Sequence, residues 1–221
     1  MLAPLRRLGL LGLAMKHTPI LLLTLVAASA SAANGIGSGL NYDRVEVGYV
    51  SSDALKGYNI GATAELGGSG VLVSGVYADV DGKGDLAAFG GYETGFGIAY
   101  KFNVGTGDLA VGFSYLQGQF GAPNGIAIAE QKGFSIQYRQ AIGSSFEVSA
   151  GYQRVRTNLG ALAYDSINDL VYLDAATSSE NIFNVGVRYN LSKNFDLSLT
   201  YAFTGTAAGG DALGISAGYS F

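Results

Sequence analysis

The C-terminal stretch ALGISAGYSF (Ala212–Phe221) alternates strictly between two kinds of side chain. Positions 213, 215, 217, 219 and 221 are apolar or aromatic, whereas glycine or serine lies between them. Because successive side chains of a β-strand point to opposite faces, the stretch predicts a strand with one apolar and one small polar face. A strand on a soluble core would alternate in the same way, so the environment of the apolar face depends on the rest of the chain.

The same alternation recurs along the chain, and no window has a sustained helical period. FDLSLTYAFT (195–204), IFNVGVRYNL (182–191) and LAVGFSYL (109–116) are clear examples. We predict about ten strands, with eight as the alternative. They lie near 43–51, 57–66, 70–78, 93–103, 109–118, 132–142, 146–156, 180–191, 195–204 and 212–221.

The connections between these strands alternate in length. The tight turns are GGS (67–69), GTGD (105–108), GSS (143–145) and SKN (192–194). The other connections are mostly longer, and the longest runs from Asn158 to Ser179. Short turns at one end, long loops at the other and an even strand number are typical of bacterial transmembrane barrels. Each strand is also close to the ~9–11 residues that a tilted transmembrane strand needs.

The composition of the two faces favours a membrane barrel over a soluble one. A soluble barrel would carry many charges outside, but only 14% of this chain is charged, and its polar faces are mostly Gly, Ser, Asn and Thr. Tyrosines lie near the strand ends, as expected at the two membrane interfaces. They are Tyr49, Tyr115, Tyr138, Tyr152, Tyr201 and Tyr219. We therefore predict an all-β fold, a transmembrane antiparallel up-and-down β-barrel.

The N-terminal stretch MKHTPILLLTLVAASASAA (15–33) has the layout of a secretory signal peptide: a basic start, a short apolar run and small residues before the cleavage site. We predict a signal peptide over 1–32 and the barrel over 33–221, with Met1 or Met15 as the start. The single histidine, His17, would be removed with it. Because acid–base catalysis near neutral pH most often uses histidine, we expect no enzyme and no cofactor.

Net charge and cysteine content exclude further classes. The formal net charge is −4 and no basic stripe is present, which argues against a nucleic-acid partner. The chain has no cysteine, so it forms no disulfide. DVDGKGD (79–85) is similar to the start of a calcium loop, but Lys83 occupies its fifth position, so we expect no metal site.

The last four residues, GYSF (218–221), resemble the terminal-strand signature of outer-membrane barrels. The layout resembles the small barrels of the OmpA-like and opacity-protein-like porin superfamily. This resemblance implies a location in the Gram-negative outer membrane, with lipids and lipopolysaccharide as partners. It also implies that Tyr219 and Phe221 form a signal for the outer-membrane insertion machinery.

The inward faces of the predicted strands carry four basic and four acidic residues. They are Arg44, Glu46, Glu65, Lys101, Arg139, Glu147, Arg188 and Asp196. Unpaired charges in a narrow lumen are costly, so we expect ion pairs. The SKN turn places Arg188 diagonal to Asp196, and the GSS turn places Arg139 diagonal to Glu147. The lumen is then either an ion-conducting path or a plug of polar and charged side chains, and we favour the plug.

Two parts of the predicted outer surface suggest binding to other molecules. The loop residues Leu170, Val171, Tyr172 and Leu173 offer an apolar contact for a host or matrix ligand, or else lengthen the strands above the membrane. Arg154 and Arg156 share the lipid-facing parity of Tyr152, where they suit a lipopolysaccharide phosphate unless a β-bulge turns them away. The predicted function is a structural or minor porin role, with surface adhesion as the alternative.

Overall fold

Ten strands form one closed antiparallel barrel in the computed structural model, which describes residues 40–84, 87–122, 125–165, 170–204 and 210–221. Each strand pairs with its neighbours in sequence, and β1 pairs with β10 to close the barrel. The strands are β1 (Arg44–Ser52), β2 (Leu55–Glu65), β3 (Val71–Gly82), β4 (Gly90–Val104), β5 (Gly107–Ala122), β6 (Gly125–Ile142), β7 (Phe146–Asp165), β8 (Leu170–Asn190), β9 (Phe195–Thr204) and β10 (Ala212–Ser220). The predicted ten-strand up-and-down barrel is confirmed, and the eight-strand alternative is wrong. The predicted signal peptide lies outside the described residues.

The short turns lie at the end of the barrel that also holds Arg44 and Ser220, which we name the turn end; the opposite end is the loop end. The GTGD turn is shorter than predicted and consists of Gly105 and Thr106. Gly105 has a φ of 63°, a left-handed conformation that favours glycine. Asp108, predicted in this turn, instead lies in β5.

No helix among the described residues is long and apolar enough to cross a membrane.

Several strands extend further toward the loop end than the alternation predicted. β7 and β8 pair continuously from Phe146↔Tyr189 to Asp165↔Leu170, so most of the predicted Asn158–Ser179 loop is a two-stranded extension. The 20 residues of β7 span about 66 Å at ~3.3 Å per residue, well beyond an apolar band of ~25 Å even when tilted. Outside that band neither face needs to be apolar, which is why the alternation does not mark these strand ends.

The outer face of the barrel is apolar and carries two girdles of aromatic side chains. The turn-end girdle includes the pairs Tyr100–Phe102, Phe146–Tyr189 and Phe195–Tyr219. The loop-end girdle includes Tyr49–Tyr58, Tyr77–Tyr92, Phe96–Tyr115, Tyr152–Phe183 and Tyr201–Phe203. Between them lie exposed Val, Ile, Leu and Phe side chains such as Ile98 and Leu199.

The lumen changes in character along the barrel. Charged side chains fill the turn end, amides and hydroxyls the middle, and a buried apolar cluster the loop end. The cluster contains Val50, Leu55, Val76, Ala78, Val80, Leu116, Val155, Ile182, Ala202 and Ala212. A lumen largely plugged by polar and charged side chains stays a prediction; at the loop end, apolar side chains have the inward parity as well.

Candidate functional site: the lumen

The eight charged residues predicted for the lumen all lie on its face and all form ion pairs. Asn190 lies opposite Asp196, and Ala141 opposite Glu147, in the register that the two turns predict. The ion pairs are Arg44–Glu46, Arg44–Asp196, Arg188–Asp196, Arg188–Glu147, Arg139–Glu147 and Lys101–Glu65. The first five join six side chains into one continuous network, which we name the charge network.

Arg44 connects the two strands that flank β10. Its guanidinium donates from Nη2 to Asp196 Oδ1 at 2.6 Å and from Nε to Asp196 Oδ2 at 3.1 Å. The bond crosses β10 at Gly218, which pairs with Glu46 on one side and Asp196 on the other. A Cβ at this position would overlap the Arg44 guanidinium. Glycine is thus required here because the side chain passes directly over the backbone.

The segment Leu40–Asp43, just before β1, lies inside the turn end of the barrel. Leu40 and Tyr42 are each 1% exposed. The Tyr42 ring lies 4.7 Å from Lys101 Nζ and 5.0 Å from Arg139 Cζ, and its hydroxyl donates to Asp108 at 2.9 Å. Burial raises the pKa of the Tyr42 hydroxyl, which keeps it protonated as a donor.

The amino-acid pattern missed Tyr42, because this residue precedes the first alternating strand. Three acidic residues of the lumen were also missed although their parity marks them. Asp108 shares the inward face of Ser114, and Glu93 shares that of Lys101. Glu180, opposite Val155, also has the inward parity. Among the side chains that the structure describes, seven acidic but only four basic ones have the inward parity, so the predicted balance of four against four is wrong.

Three cavities at and near the charge network differ in volume. A cavity of ≈ 330 Å³ opens at the turn end and is lined by Asn41, Arg188 and Lys193 among others. Beyond it, a cavity of ≈ 20 Å³ beside Arg139 and a second of ≈ 20 Å³ beside Gln153 hold about one water-sized volume each. Both of these inner cavities are much smaller than the cavity at the turn end.

Between the charge network and the loop end, the lumen contains buried polar side chains with unpaired atoms. Glu93, 1% exposed, accepts a hydrogen bond from Gln131 Nε2 at 3.2 Å, but its Oε2 has no hydrogen-bond partner among the described residues. Unpaired atoms also occur on Asn59, Ser114, Gln131, Gln153, Thr157 and Asn184. Buried polar groups are normally hydrogen-bonded, but the described residues provide no partners for these atoms.

Arg154 and Arg156 point outward, as their parity predicted, and no bulge turns them. Arg154 lies opposite Phe134, and Arg156 opposite Lys132, on adjacent β6 and β7. All three basic side chains are exposed at the loop-end girdle. Lys132 also contacts Glu130, with Nζ 3.0 Å from Oε1. We name Lys132, Arg154 and Arg156 the basic patch.

The remaining predicted site residues lie at opposite ends of the barrel. β8 begins with the four residues Leu170 to Leu173. Among them the structure describes only the side chain of Leu173, which is 82% exposed. Tyr219 lies in the turn-end girdle, with its ring 5.0 Å from that of Phe195. Phe221 is exposed, and its backbone N–H donates to Asp43 O at 3.0 Å.

A closed antiparallel barrel with an apolar outer band, two aromatic girdles and a polar interior at the turn end has the properties of a transmembrane barrel of the outer membrane. The comparisons with known proteins agree. The family model for Gram-negative porins matches residues 23–220, so the chain belongs to the Gram-negative porin family and is located in the cell outer membrane.

The similar solved structures are distant in sequence. The translocator domain of the autotransporter NalP from Neisseria meningitidis is 11% identical, with a TM-score of 0.51, and the match covers 89% of this chain and 92% of that one. The KdgM porin in complex with disordered oligogalacturonate is 12% identical, with a TM-score of 0.45, covering 80% and 99%. No curated protein sequence matches this chain.

Proposed function

We propose that this porin has a structural or minor porin role, without catalysis, and that its lumen is closed at the turn end. The closure consists of the charge network together with the segment Leu40–Asp43. In outer-membrane barrels the short turns face the periplasm, so the closure lies at the periplasmic mouth.

The position of Tyr42 is the observation that carries this proposal. Its ring lies beside Lys101 and Arg139, and its hydroxyl is bound to Asp108, so three strands hold it in the lumen. Each cation–π contact contributes about 0.5–2 kcal/mol. Arg139 also donates to the Asn41 carbonyl at 3.4 Å. A segment held by several contacts of this size blocks the path while it remains bound.

Planar-bilayer conductance tests this function. We expect the wild-type barrel to give small or rare current steps, and Tyr42→Ala to give larger and more frequent ones. Tyr58→Ala is the matched control, because Tyr58 lies on the outer face and is 70% exposed. Large, steady steps from the wild-type barrel would contradict closure.

Surface adhesion is the second candidate function. It is supported by the β7–β8 extension, which carries Leu173. Among the large apolar side chains that the structure describes, Leu173 has the largest exposed fraction. A bilayer-silent barrel that binds host cells or matrix through this hairpin, and loses binding in Leu173→Ser, would favour adhesion over a porin role.

Two further roles belong to this proposal. The basic patch binds lipopolysaccharide phosphates, since arginine side chains match phosphate oxygens in pairs. Tyr219 and Phe221 are read by the insertion machinery after residues 1–32 have directed export and been removed. The first role is supported by the outward position of Arg154 and Arg156, and the second by the lipid-facing position of Tyr219 and Phe221.

A further inference from the structure

The Glu93 side chain is buried, and the described residues provide no counter-ion for it. It lies on β4 toward the loop end of the lumen, opposite Ala78 of the apolar cluster, and none of its contacts among the described residues is with a basic side chain. Lys101, the basic residue on the same face of the same strand, is paired with Glu65 at 3.0 Å. An unpaired buried charge is strongly unfavourable, so Glu93 either holds a proton or, as a carboxylate, has a positive partner.

The local backbone is shaped to hold this carboxylate in place. The Glu93 side chain passes over Gly118 of β5 and reaches Gln131 on β6, where Gln131 Nε2 donates to Glu93 Oε1 at 3.2 Å. A Cβ at position 118 would overlap Glu93 Cγ. The position of the side chain therefore depends on glycine at 118, as that of Arg44 does on Gly218.

The neighbouring groups present oxygen atoms. Gln131 lies directly opposite Thr157 of β7, and both side chains face the lumen. Glu93 Oε2, Gln131 Oε1 and Thr157 Oγ1 all lack a hydrogen-bond partner among the described residues, and the three side chains are at most 1% exposed. Carboxylate, amide and hydroxyl oxygens are the ligands of hard cations.

We propose that Glu93, Gln131 and Thr157 form a site for a small monovalent cation, Na⁺ or K⁺. One carboxylate balances one positive charge, and the neutral oxygens of Gln131 and Thr157 complete the shell on the lumen side. The excess of acidic over basic side chains in the described lumen attracts cations to the site. The site is independent of whether the lumen conducts.

Cation-dependent stability tests the site without any measurement of transport. The refolded barrel in uncharged detergent is unfolded with urea in NaCl, in KCl, and in N-methyl-glucamine chloride at the same ionic strength. We expect the wild-type midpoint to be higher with Na⁺ or K⁺ than with N-methyl-glucamine, because a ligand that binds only the folded state stabilises it. Glu93→Gln should abolish this difference. Glu130→Gln, the same change on the outer face, should preserve it.

A second pair of variants covers the case in which Glu93→Gln fails to fold. Thr157→Val removes one ligand oxygen at nearly constant shape and should reduce the cation dependence, whereas Thr94→Val, on the outer face of β4, should not. A wild-type midpoint that is indifferent to the cation would overturn the site. So would a dependence that persists in both Glu93→Gln and Thr157→Val, or a midpoint that responds only to pH, which would show that Glu93 holds a proton instead.

Discussion

Arg44 on β1 and Asp196 on β9 form a two-point ion pair across β10, with Nη2–Oδ1 at 2.6 Å and Nε–Oδ2 at 3.1 Å. β1 and β10 meet where the two ends of the chain close the barrel. The pair therefore connects strands on both sides of the terminal strand, and Arg44 also holds Glu46 of its own strand. The charge network is thus built around the seam that closes the barrel.

Arg44→Met should lower the free energy of unfolding by about 3–5 kcal/mol, because it leaves Glu46 buried without a cation. Arg154→Met is the matched control. Arg154 is exposed on the outer face, where a charge contributes less than about 1 kcal/mol. Urea unfolding in uncharged detergent measures both variants. Equal midpoints would show that the charge network adds nothing to stability.

Gly218→Ala should also disrupt the Arg44–Asp196 pair. The added methyl group would overlap the Arg44 guanidinium, and overpacking of this kind costs about 1–3 kcal/mol. Gly214→Ala lies on the same strand and face, but its nearest neighbouring atom is 3.9 Å away, so its unfolding midpoint should stay near the wild-type value. Equal losses for the two alanine variants would mean that strand flexibility, and not the crossing of Arg44, explains the effect.

The sequence predicts strands and inward-facing residues only where apolar and polar side chains alternate with a period of two. Within the lipid band one face must be apolar, so the alternation located all ten strands and assigned Arg139 and Glu147 to a common face. The β7–β8 extension lies beyond that band, where the outer face need not be apolar, and the predicted strand ends failed there. Tyr42 lies in no strand, so no period marks it. The Arg44–Asp196 pair depends on the pairing of β1 with β10. No short turn joins these two strands, so the sequence does not predict which residues face each other there.

The basic patch should bind lipopolysaccharide through its phosphates. We expect the double variant Arg154→Ser/Arg156→Ser to lose most of the lipopolysaccharide that migrates with the barrel on native gels. Lys56→Ser changes one exposed outward basic residue on β2, away from the patch, and should retain it. If the double variant retains as much lipopolysaccharide as the wild type, the basic patch is not the binding site. A contact with phosphates should also weaken as the salt concentration rises.

Phe221→Ala should impair assembly in cells more than refolding in vitro. Phe221→Ala removes at most about 1.5–3 kcal/mol of burial, so the variant should refold in detergent. If the insertion machinery reads the residue, assembly in the outer membrane should fall sharply. Phe195→Ala is the control, because Phe195 lies in the same turn-end girdle and is similarly exposed. Heat-modifiable migration of membrane fractions reports assembly, and wild-type levels for Phe221→Ala would refute an insertion signal.

Thiol labelling of the lumen tests the closure at the turn end most directly. The chain has no cysteine, so Ser135→Cys, inside the lumen, and Ser144→Cys, in the exposed β6–β7 turn, each provide the sole thiol. Access from the loop end is restricted by the apolar cluster around Val50 and Ile182. With a charged methanethiosulfonate reagent, we expect Ser135→Cys to react much more slowly than Ser144→Cys, and Tyr42→Ala to accelerate labelling at 135 alone. Equal rates at the two positions in the barrel with intact Tyr42 would contradict a closed lumen.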